Sequence, residues 1–387
     1  MAHPGVDRLV ALSNAMSDTG SFEILAVVTP GLETALIEEM QERGFSTPTA
    51  IPGGVQTSGD WREVMRANLE LRGATRILAR IGSFRALHLA QLDKRARRFA
   101  WADYLRQDVP VRVEASCSRS RIYHAGAAKE RIGRAIAEEL GAHVSDEAAL
   151  TVKARIDDDL CTLSLDTSGE PLHKRGFKQA VNKAPMRETM AALLLRRCLY
   201  RGTEPVLDPM CGSGTFVIEA AEWAAGMPPG RARRFAFEDL ANFDPVAWAA
   251  LRDATGPRPT PLRFQGSDRD AGAVRMSGEN ADRAGVAALC AFAQRTIGDL
   301  EPPPGPPGLV MVNPPYGGRI GDTRELYALY GALGKRLATR FAGWRVGLVT
   351  NEPALAGATG LPFLPTEAPI LHGGLKVQLY RTPTLTA

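Results

Sequence analysis

Cysteine is scarce in this chain. Five residues, Cys117, Cys161, Cys198, Cys211 and Cys290, are spread over 387 positions. No two stand in the C-x-x-C spacing of a zinc site, and an odd, dispersed set does not build a disulfide framework. Reduced thiols in a cytoplasmic protein fit this usage, so no metal is expected. Long apolar runs are missing too. None reaches the roughly 18 residues of a membrane span. The N-terminus lacks an apolar core of signal-peptide length, so the expectation is a soluble protein with no membrane partner. Charge of one sign is not in excess either, with 47 Lys and Arg against 43 Asp and Glu and a net charge of +4. Repeats and low-complexity tracts are absent. What is present is ordinary globular material, 44% hydrophobic and 23% charged, enough for more than one core. The length points to two or three domains, expected to act as a monomer.

The charge is not evenly spread. Between Arg66 and Arg98 lie Arg72, Arg76, Arg80, Arg85, Lys94, Arg95 and Arg97, opposed only by Glu70 and Asp93. Such a stretch suits a polyanion, and it equally suits a solvated basic helix face.

The first 20 or so residues are small and polar and read as a flexible tail, 1–21. Then Phe22 to Thr29 reads as a strand, Leu32 to Arg43 as a helix closed by Gly44, and Asp60 to Leu69 as a second helix. Residues 74–85 read as a strand. This is the pattern of a small α+β module. A second module follows: a helix over 90–106, a strand at Val111 to Ala115, an amphipathic helix from Ala127 to Leu140, and strands at 150–156 and 160–165. Asp157, Asp158 and Asp159 mark the hairpin between the last two. Beyond Gly169 the character changes. Strands at 205–207, 262–265, 309–312, 345–349 and 376–380 alternate with helices at 187–200, 214–225, 270–284 and 323–340. That alternation predicts an α/β domain built on a doubly wound, mostly parallel sheet.

Four signals carry chemistry. Asp208-Pro-Met-Cys-Gly-Ser-Gly-Thr215 lies between a strand and a helix. Gly212 and Gly214 let the backbone turn sharply and approach a ligand. The dinucleotide pattern would need a third glycine where Val217 stands, and the Walker A pattern is absent. Asp208, at the strand end, can meet the ammonium of an amino-acid-like cofactor, and S-adenosylmethionine (SAM) carries one. Met210, Cys211, Gly212, Gly214 and Thr215 form the expected cofactor loop. Next, Asp268 follows the second strand, where a carboxylate can accept from ribose hydroxyls, with Arg269 beside it and Asp270 as the alternative acid. An acid in this place also serves as a helix N-cap. Gly298-Asp299 follows a strand expected over 292–297, and Asp299 can accept from an adenine amino group. The sharpest signal is Asn313-Pro-Pro-Tyr-Gly317 after an apolar strand. The prolines fix the turn and remove amide donors. The Asn313 side-chain oxygen and the Pro314 carbonyl then form a pair of acceptors suited to the two N–H groups of an aromatic amine. Tyr316 offers a ring for stacking on a base.

In order and kind these motifs resemble the class I methyltransferases that act on amino groups. Arg175-Gly-Phe177 followed by Ala184-Pro-Met-Arg-Glu188 resembles the segment before the cofactor loop in THUMP-domain RNA methyltransferases. The strand pair ending in Ser168-Gly-Glu170 and the segment Leu371 to Tyr380 resemble the same family, in particular its bacterial members acting on guanine N2 of 23S rRNA. The resemblance implies a ferredoxin-like module at 22–73, a THUMP-like domain at 74–167, a linker at 168–186 and a Rossmann-like methyltransferase domain at 187–387. It implies SAM as cofactor and RNA as partner, ribosomal before transfer RNA. Lys94, Arg95, Arg97, Arg98, Arg119, Arg121, Arg175 and Lys178 would contact RNA phosphates. Asn313, Pro314 and Tyr316 would form the catalytic set, and Asn313 would also border the cofactor. Transfer to adenine N6 or to a protein glutamine amide uses the same two acceptors, and an RNA-binding protein with an inactive methyltransferase fold is the non-enzymatic alternative.

Overall fold

The computed structural model describes residues 20–179, 186–316, 323–372 and 374–386. The N-terminal unit runs β1 (Phe22–Val27), α1 (Glu33–Glu42), β2 (Thr49–Ile51), β3 (Gly54–Gly59), α2 (Trp61–Glu70), β4 (Arg76–Arg85), α3 (Leu89–Arg97), β5 (Val111–Ser118), α4 (Ala125–Leu140), β6 (Leu150–Asp157) and β7 (Leu160–Asp166). Alternation along these strands buries Ile24, Ala26, Ile77, Ala79, Val152, Ala154, Leu163 and Leu165 in the core. The helices begin where a side chain caps them. Asp60 accepts from Glu63 N at the start of α2, and His124 accepts from Ala127 N at the start of α4.

All seven strands form one sheet in the order β2-β3-β1-β4-β7-β6-β5. The β4 strand pairs with β1 on one side and β7 on the other. The expected boundary at 73–74 therefore falls inside a continuous sheet, and the two α+β modules share it. The expected helix over 90–106 is also shorter. It stops at Arg97, because Trp101 folds back and its indole N–H donates to Ala96 O at 2.8 Å.

The C-terminal unit runs α5 (Glu188–Arg197), β8 (Val206–Asp208), α6 (Thr215–Ala224), α7 (Pro245–Asp253), β9 (Phe264–Asp268), α8 (Ala271–Ala284), β10 (Cys290–Gln294), β11 (Leu309–Val312), α9 (Thr323–Arg340), β12 (Arg345–Thr350), α10 (Pro353–Ala358), β13 (Ile370–His372) and β14 (Leu375–Arg381). Its strand order is β10-β9-β8-β11-β12-β14-β13. The first five strands are parallel; β14 and β13 close the sheet antiparallel. The chain winds from β8 toward β10 and then returns to place β11 on the other side of β8. That reversal is the topological switch point, where doubly wound sheets hold ligands beyond the carboxyl ends of the strands. Asp208 ends β8 and Asn313 follows β11, so the two strongest sequence signals flank it.

The expected strand at 292–297 lies earlier, at Cys290–Gln294. Two helices went unread in the sequence, α7 and α10. The start of the segment expected as a linker, 168–186, is packed; residues 180–185 of it lie outside the described residues. Thr167 and Ser168 are fully buried, and Ser168 Oγ donates to Asn68 Oδ1 at 2.6 Å. Leu172 N donates to Thr75 O at 2.9 Å. The two units meet through buried charge: Arg72, 2% exposed, lies 2.8 Å from Glu219 on α6 and 3.8 Å from Glu222.

Candidate active site and cofactor loop

The turn after β8 is held from three sides. Gly214 N donates to Cys211 O at 2.7 Å, closing the turn on itself, and Cys211 N donates to Ser267 O of β9 at 2.9 Å. From α8, Ser277 Oγ donates to Gly212 O at 3.0 Å, and Asn280 Nδ2 donates to Ser213 O at 3.1 Å. Gly212 and Gly214 have φ of 54° and 80°, a region that favours glycine. Their surroundings differ. A Cβ on Gly214 would lie 3.1 Å from Ser277, whereas one on Gly212 would meet nothing within 4 Å. The Gly212 backbone thus faces open space, as close approach to a ligand requires. Thr215 opens α6, Cys211 is buried and Met210 is half-buried.

Asp208 is fully buried and accepts from Met210 N at 3.0 Å. Among the described residues it has no cationic partner. Burial pushes its carboxyl up to about 8, with Asp268 nearby adding to the shift. A cofactor ammonium placed against this carboxylate would supply the missing charge. Asp268 Oδ2 accepts from Gly212 N at 3.1 Å and Oδ1 accepts from Asp270 N at 3.0 Å. Asp268 is therefore tied to the loop, while Asp270 accepts from Gly272 N and caps α8. Arg269 is exposed, and its carbonyl accepts from Gln294 at 3.0 Å. Asp299 is exposed and accepts from Thr296 Oγ1 at 2.7 Å.

Across the switch point, Asn313 Oδ1 is buried and has no hydrogen-bond partner among the described residues. No described residue donates to the Pro314 carbonyl. A buried acceptor without a donor costs about 1–3 kcal/mol, so folded proteins leave few of them. Asn313 Oδ1 is such an acceptor, and the Pro314 carbonyl lies on the same turn. Tyr330 OH donates to Pro315 O at 3.3 Å and anchors that turn to α9. Gly317, the last residue of the motif, lies outside the described residues, as do Ala184, Pro185 and Gly373 of the resembling segments.

Three expectations are corrected. Tyr316 is only 6% exposed and belongs to the core, so its ring shapes the wall of the turn and presents no open stacking face. Arg175 is 1% exposed and donates to Leu172 O at 2.8 Å and Arg72 O at 2.7 Å, with Glu219 3.5 Å away; it cannot reach a phosphate. Lys178 is also committed inward. Its Nζ donates to Met186 O at 2.7 Å and Thr215 Oγ1 at 2.9 Å, and lies 3.4 Å from Glu188. It braces the cofactor loop from the side of α5, a role the sequence reading missed.

The basic stretch 66–98 does not form one patch. Arg66 stacks on Phe45 and pairs with Glu63, Arg72 is buried, and Arg76 pairs with Asp166. Arg97 is surrounded by Asp93, Glu138 and Glu139. Lys94 and Arg98 are exposed, Arg95 is half-buried, and none of the three pairs with a described residue. Arg119 and Arg121, beside the β6–β7 hairpin, are 74% and 72% exposed. Their partners Asp157 and Asp159 are half-buried, so the two guanidiniums reach outward from the hairpin.

With this geometry in place, known proteins can be compared. Residues 175–362 match the UPF0020 family, described as an RMKL-like methyltransferase domain. Residues 23–78 match the RlmL ferredoxin-like domain. Among curated proteins, the Ribosomal RNA large subunit methyltransferase K/L of Vibrio campbellii is 32% identical over 86% of this chain and 49% of its own length. The protein of that name from Chromohalobacter salexigens is 34% identical over 86% and 48%. The chain thus spans about half the length of the curated relatives it matches. Among solved structures, a predicted N6-adenine-specific DNA methylase from Listeria monocytogenes superposes with a TM-score of 0.84, at 29% identity over 94% of this chain and 96% of that one. SMU.472, a putative methyltransferase complexed with SAH, gives a TM-score of 0.84 at 27% identity, over 95% and 99%. The matched domains and the strand order agree: this chain carries an RMKL-like methyltransferase domain with the class I SAM-dependent fold, joined to an RlmL ferredoxin-like domain.

Proposed function

We propose that this chain transfers the methyl group of SAM to the exocyclic N2 amine of a guanosine in large-subunit ribosomal RNA. The observation that carries the reading is Asn313 Oδ1, buried and without a donor among the described residues, on the turn that also carries the Pro314 carbonyl, at the switch point beside the glycine loop. The curated relatives are named as ribosomal RNA large subunit methyltransferases, which favours that RNA over others.

SAM supplies an electrophilic methyl carbon, so the protein's task lies with the nucleophile. The lone pair of a guanine amine is delocalised into the ring. Accepting both amine hydrogens at Asn313 and Pro314 orients the nitrogen and stabilises the positive charge that develops on it. Asp208 would hold the cofactor's ammonium, Asp268 its ribose hydroxyls and Asp299 its adenine amine. The loop from Met210 to Thr215 would carry the rest of the cofactor, with Arg269 at its edge. The proton leaves to water after transfer. The exposed Lys94, Arg98, Arg119 and Arg121 and the half-buried Arg95 are available to RNA phosphates, and the target base has to be turned out of its stack to reach the turn.

Two measurements test the reading. Mass mapping of modified nucleosides in ribosomal RNA from cells with and without this protein should show one N2-methylguanosine lost. A lost N6-methyladenosine, or no change, would refute it. Asn313→Ala should lower kcat by roughly 10²–10³-fold with cofactor affinity retained. Near-normal turnover in that variant would remove Asn313 from the chemistry.

A further inference from the structure

A second buried amide oxygen lies at the same edge of the sheet without a partner among the described residues: Asn351 Oδ1. Asn351 follows β12, the parallel neighbour of β11, and Val312 is in register with Leu348. Asn313 and Asn351 therefore leave adjacent strands at their carboxyl ends, on the substrate side of the switch point. Tyr330, itself fully buried, donates to Pro315 O at 3.3 Å and holds the turn that follows β11. Local structure does not use the Asn351 amide: Glu352 N donates to Thr350 Oγ1, so the turn into α10 is built without it.

We infer that Asn351 accepts the N1–H of the target guanine and is a specificity-determining residue of the site. The inference rests on the guanine-N2 reading and deepens it. Guanine presents N1–H directly beside its N2 amine, so three donor hydrogens line one edge. Asn313, Pro314 and Asn351 would supply three acceptor oxygens to match. Adenine presents the opposite arrangement, a lone pair on N1 beside its N6 amine. A carbonyl oxygen facing that lone pair is repelled, and it also stays buried without a donor. Sites built to hydrogen-bond a substrate group reject analogues lacking it by large factors for this reason. The amine acceptors alone do not separate the two bases, since both bases carry an NH2.

The test uses the full chain and a synthetic RNA oligonucleotide spanning the nucleotide identified by mass mapping. The oligonucleotide carries either guanosine or 2-aminopurine riboside at the target. 2-Aminopurine keeps the 2-amino group but has a lone pair at N1. The wild type should prefer guanosine in kcat/KM by about 10³-fold or more. In Asn351→Ala, transfer to guanosine should fall by about 10²-fold and transfer to 2-aminopurine should change by less than about threefold, so the preference collapses. Asn351→Asp keeps an acceptor and should restore the preference. SAH affinity should stay at the wild-type value in all three proteins, and each should unfold in one cooperative transition, which shows that the variants are folded. A folded, SAH-binding Asn351→Ala protein with an undiminished preference for guanosine would overturn the assignment of Asn351 and leave the guanine reading standing. Wild-type transfer to adenosine N6 in the matched RNA would overturn the guanine reading and the Asn351 assignment with it.

Discussion

Asp208→Asn should make the cofactor-free protein more stable while it loses its cofactor. The Asp208 carboxyl, ordinarily near 3.8, is pushed up to about 8 by burial, and Asp268 adds to the effect. In the folded state the group resists ionisation, so its penalty is absent below the unfolded value, grows as pH rises, and is complete above the folded value. Between those two values lie about four pH units, each worth ~1.4 kcal/mol, which sets a ceiling of about 6 kcal/mol. Even about 1 kcal/mol would move the melting temperature by ~2–4 °C. Asparagine keeps the oxygen that accepts from Met210 N and removes only the charge. Thermal unfolding of both proteins without cofactor, from pH 5 to pH 8.5, should show a small gap at the acid end and a widening advantage for the variant toward the alkaline end. Adding SAH at pH 8 should raise the melting temperature of the wild type and hardly move that of the variant. A gap independent of pH, or an undiminished SAH response in the variant, would refute the idea that Asp208 is buried to receive a cation.

Two further perturbations separate structural charge from binding charge. Arg72→Met should destabilise the fold by about 3–5 kcal/mol, because Glu219 and Glu222 lose a buried partner. Burial already pushes Glu222 up to about 7, so the loss should be larger at pH 8, where it is ionised, than at pH 5, where it is protonated; chemical denaturation at the two pH values reads the difference. The double substitution of Arg119 and Arg121 by alanine should weaken ribosomal RNA binding and reduce the slope of log affinity against log salt by about 1–2. An unchanged slope would place the RNA elsewhere.

Much of the C-terminal unit is legible without coordinates. The strand at 309–312 and the helix at 323–340 fall where apolar period and turn residues place them. The glycine turn after Asp208 and the Asn-Pro-Pro-Tyr segment announce themselves because their backbone conformations are ones that only a few residue types supply. Helix α7 could have been found from Asp244-Pro245, an N-cap followed by proline at the first helical position.

The sequence by itself determined the alternation of elements, the glycine turn after β8 and the Asn-Pro-Pro-Tyr turn after β11, since each depends on neighbours within a few positions. The tertiary structure alone decided which charges face water. Arg175 and Lys178 look like Arg119 and Arg121 in a linear reading, yet the first two are enclosed by Glu219 and Glu188 while the others stand in solvent. It also decided that one sheet joins the two N-terminal modules, that Tyr316 packs inward, and that Asn351 arrives beside Asn313. The physical reason is that burial and long-range pairing are properties of the whole packed chain, and no local pattern encodes which partner will arrive from a distant segment.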